Sequence, residues 1–118
     1  MSRWGNTWTD DPGYAGISEA TFTQQVIRIA QVFKWRVAHF RPAMTKRGRW
    51  VTAVQGDGAG FPDLIMVRED RVLVAELKSA KGKLTPAQLL WISGFLVAGV
   101  EAFIWRPSDI EEIERILK

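Results

Sequence analysis

The chain has 118 residues, of which 47% are hydrophobic and 25% charged, with a formal net charge of +3 and no cysteine. That is one domain's worth of globular sequence, long enough to bury about two thirds of its unfolded surface, and the lack of cysteine excludes disulfide scaffolds and thiolate metal sites. No apolar run is long enough to cross a membrane, and the N-terminal residues lack a signal-peptide core, which predicts a cytoplasmic location by default.

Residues 1–17 contain Trp4, Trp8, Asp10-Asp11-Pro12-Gly13 and Gly16 without periodicity, and read as an arm preceding a single domain over 18–118. Ser18 is placed to cap a helix over Glu19 to Phe33, in which Phe22, Val26, Ile29, Ala30 and Phe33 recur at the helical period. Glu19 falls near that inward stripe. A first-turn glutamate commonly complements the helix dipole, yet this one is aimed toward the core side. A strand is expected from Trp35 to Arg41, ended by Pro42, and it contains His39, the only histidine, which reads as structural.

Charge is unevenly spread. Between Ala20 and Gly56 there are seven basic residues and no acidic one, and from Leu77 to Val100 Lys78, Lys81 and Lys83 stand without an acid. Such asymmetry suits a polyanion meeting one side of the molecule, although a solvated basic face has the same composition. Residues 43–60 combine Lys46, Arg47, Arg49 and Trp50 with Gly56, Gly58 and Gly60, the pattern of a mobile basic loop whose cations and aromatic suit phosphate contact and stacking. Arg41, Lys46, Arg47, Arg49, Lys81 and Lys83 are therefore the candidate contacts to a nucleic-acid backbone.

Phe61 to Val67 and Val72 to Leu77 are short apolar runs around the polar Arg68-Glu69-Asp70-Arg71, as in two antiparallel strands and a turn. A turn centred between Glu69 and Asp70 places Asp63 opposite Glu76, and the two-residue period puts Lys78 on the same face. Glu-Asp is not a favoured turn pair, and a slip of one residue would turn Glu76 to the other face. Two carboxylates side by side repel and resist burial, so the arrangement invites a divalent cation between them. Strand-end residues facing water, with Lys78 as an ion-pair partner, are the plainer reading.

Thr85-Pro86-Ala87-Gln88 carries a capping-box pattern with proline at the first helical position, so Gln88 has a structural explanation at hand. The helix it opens is expected to reach Ala98 and is apolar on nearly every face, which in a chain this short favours contact with a second copy. A strand from Val100 to Trp105 follows, and Ser108-Asp109-Ile110-Glu111 reads as a further capping box opening a last helix. The P-loop, GxGxxG, HExxH and GxSxG motifs are absent, and no organic cofactor is implied. Asp and Glu able to hold Mg²⁺ or Mn²⁺, a lysine beside them and basic flanks point to metal-assisted phosphodiester hydrolysis, in which Lys78 orients water or steadies developing charge.

These residues resemble a known family. Gly60-Phe61-Pro62-Asp63 followed by Glu76-Leu77-Lys78 resembles the PD-(D/E)xK nuclease signature. GFPDL, ELKSAKGKLTPAQ and the closing WRPSD are similar to the VRR-NUC group of that superfamily. The likeness spans roughly residues 18–118 and implies an α/β fold, an α+β mixed sheet with a restriction-endonuclease-like core in the order α-β-β-β-α-β-α. It implies Asp63, Glu76 and the Leu77 carbonyl as metal ligands, Lys78 as the catalytic lysine, Glu19 completing the site and Gln88 beside it. It further implies Mg²⁺ or Mn²⁺ dependence, a homodimer, and structure-selective cleavage of branched DNA, Holliday junctions included, that leaves a 5′-phosphate. A non-catalytic DNA-binding or replication-accessory module with the same fold is the alternative. A sequence-specific restriction enzyme is a third, for which the chain has little room.

Overall fold

The computed structural model describes residues 17–40, 43–44, 46–51 and 55–118, so the arm with Trp4 and Trp8, and Arg41, lie outside the described residues. Helix α1 spans Glu19–Val32, and its cap is the expected one: the Thr21 N–H donates to Ser18 Oγ at 3.1 Å. Strand β1 is shorter than the alternation suggested, Arg36–His39. The stretch expected to be a loop contains two short strands, β2 (Ala43–Met44) and β3 (Trp50–Val51), paired antiparallel as a separate ribbon. Gly48, at a φ of 79°, supplies the left-handed backbone that lets the chain reverse between them.

Strands β4 (Leu64–Arg68) and β5 (Arg71–Leu77) pair in the expected register, from Leu64 opposite Ala75 to Arg68 opposite Arg71. The turn holds despite its sequence. Glu69 takes a φ of 56°, the positive value that a two-residue hairpin turn needs at its first position. Helix α2 (Pro86–Val97) is the crossover that allows β6 (Glu101–Trp105) to pair parallel with β5. The sheet order is β1-β4-β5-β6, which makes β5 an interior strand buried on both faces from Leu73 to Leu77.

The chain ends in a 3₁₀ turn at Pro107–Asp109 and helix α3, Ile110–Leu117. Here the expected cap at Ser108 is corrected. Asp109 Oδ2 accepts the N–H of Arg106 at 2.8 Å, because Pro107 starts the turn one residue earlier and brings the Asp109 side chain back over Arg106.

Side-chain alternation divides the core in two. Leu64, Met66, Leu73, Ala75 and Leu77 face α1 and α3, while Val74 with Ile65, Ala102 and Ile104 faces α2 through Ile92 and Phe95. Helix α3 is held by its end as well as by its face, since Trp35 Nε1 and Arg68 Nη1 each donate to the Leu117 carbonyl at 2.9 Å. Among the described residues, no helix is long and apolar enough to cross a membrane.

Ile113 is fully buried where α3 meets the sheet. Ile113→Ala is expected to lower unfolding stability by roughly 2–5 kcal/mol, read as a fall in urea midpoint without a change in slope.

Candidate active site

The regular pairing of β4 with β5 stops at Leu64 and Ala75, and the candidate residues gather just beyond that end. The Leu77 N–H, left without a ladder partner on the β4 side, donates to Asp63 Oδ2 at 2.9 Å. Asp63 itself is fixed through its backbone, as its carbonyl accepts the Phe40 N–H at 2.9 Å. The N–H and C=O of a strand residue leave on the same edge, so the Leu77 carbonyl is directed toward Asp63 as well. On the far side of β5, the Lys78 N–H donates to the Trp105 carbonyl at 3.0 Å, which holds the chain straight for one residue past the strand.

Glu76 is only 2% exposed, on the face of β5 that carries Val74 and lies under α2. Its Oε2 accepts from Gln88 Nε2 at 3.0 Å and stands 3.8 Å from Lys78 Nζ. Its Oε1 is buried and has no hydrogen-bond donor. Burial, followed by the neighbouring Asp63 carboxylate, pushes the Glu76 carboxyl up to about 8, with Lys78 opposing. Burial raises Asp63 also, against the lowering effects of the Leu77 N–H, Glu76, His39 and Lys78.

Asp63 and Glu76 are thus close enough to hold one proton between them. Fully ionised, the pair leaves Glu76 Oε1 without a partner, and a buried oxygen in that state is costly. A cation would satisfy what the protein does not. Two carboxylates, one with a vacant buried oxygen, and a strand carbonyl form a hard oxygen donor set that suits Mg²⁺ or Mn²⁺.

Gln88 performs both tasks that its position allows. Its Oε1 accepts the Thr85 N–H at 2.9 Å and completes the capping box, while its Nε2 reaches Glu76. Glu19, at the start of α1, has an exposed side chain whose carboxyl is nonetheless raised by desolvation and by Asp63, with Lys78 opposing. It borders the pair without joining it: among the described residues no three acidic, histidine or cysteine side chains close into a metal-binding group. Lys81 and Lys83 are exposed on the connection that begins at Lys78, and Arg106 Nη1 pins that connection by donating to the Ser79 carbonyl at 2.7 Å. Lys46, Arg47 and Arg49 lie exposed on the turn of the β2–β3 ribbon.

Three further residues bear on this site in ways that the sequence, where His39 reads as structural and Gly60 as part of the loop and the signature, does not disclose. His39 lies close enough to Asp63 to favour its ionised form. Trp91 donates its indole N–H to the carbonyls of Asp57 and Ala59, at 3.0 and 3.2 Å. Gly60, at a φ of 79°, passes so close to α2 that a Cβ there would lie 2.6 Å from the Ala87 carbonyl carbon. Only the glycine leaves a signal in sequence, by its place before Phe61-Pro62-Asp63.

With this geometry in view, a family model described as the VRR-NUC domain matches residues 22–108, most of the chain. No curated protein and no solved structure matches the chain.

The raised Glu76 carboxyl has a consequence for stability in the absence of metal. Between the ordinary carboxyl value of 4.5 and about 8, the folded state holds a proton that the unfolded chain has released, so stability falls as pH rises through that window. Thermal melts in chelator are expected to drop by on the order of 5 °C across it in the wild type and to flatten in Glu76→Gln. Millimolar Mn²⁺ is expected to restore the wild type and not the variant.

Proposed function

Because this chain belongs to the VRR-NUC family of nuclease domains, with the PD-(D/E)xK-like fold described above, we propose that it is a divalent-metal-dependent, structure-selective DNA endonuclease. Branched DNA, junctions among them, is its preferred substrate, and cleavage leaves a 5′-phosphate. The observation that carries this reading is the buried Glu76 with its unpartnered Oε1, beside Asp63 and within 3.8 Å of Lys78 Nζ. Asp63, Glu76 and the Leu77 carbonyl would hold Mg²⁺ or Mn²⁺, and Glu19 would complete the acidic rim.

A cation in that position supplies Lewis-acid polarisation of the phosphoryl group and makes water a stronger acid. The protein's own residues do the positioning. The Leu77 N–H keeps Asp63 turned toward Glu76, and Gln88 fixes the Glu76 carboxylate in one rotamer. Lys78, with a side chain 12% exposed, presents an ammonium that orients the attacking water or steadies the charge gathering on the phosphoryl oxygens. Arg41, Lys46, Arg47, Arg49, Lys81 and Lys83 would contact phosphates, which fixes orientation and makes affinity salt-dependent.

Dimerisation belongs to the same proposal. Helix α2 turns Leu89, Leu90, Leu96 and Val97 outward at 44, 55, 75 and 90% exposure for Leu89, Leu96, Leu90 and Val97 respectively. Four large apolar side chains exposed on one side of the helix favour association with a second copy.

Cleavage of a panel of junction, flap and duplex DNA with Mg²⁺ or Mn²⁺ tests the activity. Asp63→Ala and Glu76→Ala are expected to fall to background, and Lys78→Ala to lose about 10²–10³-fold in rate while still binding DNA. Binding without cleavage under any condition would favour the non-catalytic module instead. Light scattering tests the assembly: the wild type is expected to be a dimer at tens of micromolar, and the double variant Leu90→Glu, Val97→Glu a folded monomer.

A further inference from the structure

The two carboxylates of the site reach it by different routes, and both routes pass through α2. Glu76 is held directly, by Gln88 Nε2. Asp63 is approached by the segment 57–61, which α2 grips in three ways. The Trp91 indole N–H bridges the Asp57 and Ala59 carbonyls. The Phe61 ring, two residues before Asp63, packs edge-on against Trp91 at 5.0 Å between centroids and against Phe40 at 5.2 Å. Gly60 lies against the backbone of Ala87 and Gln88 with no room for a side chain.

Gln88 and Trp91 are three residues apart, neighbours on one helix surface. We propose that Trp91 is a positioning residue: by fastening the 57–61 segment to the helix that also holds Glu76, it sets the spacing between Asp63 and Glu76. A helix is stiff over one turn, so the separation of its two attachment points is transmitted to the two carboxylates. The indole N–H is the specific element. Phenylalanine at this position keeps the ring packing and gives up the bridge to both carbonyls, which frees the segment to move away from α2 and carry Asp63 with it.

The Leu77 N–H reports the outcome without reference to catalysis, because its acceptor is Asp63 Oδ2. In Trp91→Phe, amide exchange at Leu77 is expected to quicken by about 10-fold while amides of the β5–β6 pairing keep their protection. The metal-dependent half of the test rests on the nuclease reading. There, the Mn²⁺ dissociation constant is expected to rise by about 10-fold, as is usual when a residue that orients a ligand is lost, and kcat to fall with KM for DNA within about twofold.

Glu101→Ala, which removes the ion pair with Arg71 at the opposite end of β5 from Leu77, serves as the control for a loss of stability elsewhere, and is expected to leave Leu77 exchange and Mn²⁺ affinity unchanged. Gly60→Ala pushes the same segment off α2 with Trp91 intact, and is expected to reproduce the Leu77 signature should Trp91→Phe fail to fold. Unchanged Leu77 exchange in either folded variant, or a change matched by Glu101→Ala, overturns the positioning role and leaves Trp91 as packing. A wild type that neither binds Mn²⁺ nor cuts DNA defeats the nuclease reading instead, and the Leu77 amide still decides the role of Trp91.

Discussion

A carboxylate almost wholly withdrawn from water, Glu76, faces a second one, Asp63, and much of the fold is arranged around that juxtaposition. Burying one unpaired charge costs several kcal/mol, and two like charges together cost more. The chain offsets part of this with the Leu77 N–H on Asp63, the Gln88 amide on Glu76 and the Lys78 ammonium beside it. It leaves one oxygen unanswered. Frustration confined to one corner of an otherwise regular core is what a binding site costs a small protein, and here the donors are hard oxygens, the set that the proposed cation would need.

Helix α2 connects this corner to the rest of the molecule. As the crossover between β5 and β6 it has to lie on the sheet, and Ile92 and Phe95 keep it there. Its first turn reaches the site through Gln88 and, one turn on, Trp91 ties down the approach to Asp63. Its outer side remains apolar and exposed at Leu90 and Val97. One element therefore carries the fold's parallel connection, the support for both carboxylates and an exposed apolar side. A change in α2 is bound to be felt at the site.

How far the sequence discloses this depends on how local each signal is. Helix α1, the β4–β5 hairpin and α2 are legible because a cap, a change of hydrophobic period and a proline mark their ends within a few residues. The register that carries Asp63 toward Glu76 is the one a two-residue turn at Glu69-Asp70 produces, a turn pair the sequence does not favour, and the period of two adds Lys78. The capping box at Gln88 is equally local, yet its second bond, to Glu76, depends on where the helix lies across the sheet. The contributions of His39 and Trp91 at the site are hidden for that reason. Each acts on a segment distant in sequence, through strand pairing or a helix crossing that no short pattern encodes. The β2–β3 ribbon was hidden by its brevity, and the Asp109 cap by a proline that shifts the turn one residue ahead of the serine.

The central claim, that the protonated Asp63–Glu76 pair exchanges its proton for a divalent cation, is open to a direct count. Calorimetric titration of Mn²⁺ into the wild-type protein at neutral pH, repeated in buffers of different ionisation enthalpy, measures ions bound and protons released together. The account predicts saturable binding with about one proton released per protein molecule, as the carboxyl held near 8 gives up its proton to the ion. Failure to bind, or binding that releases no proton, would contradict it.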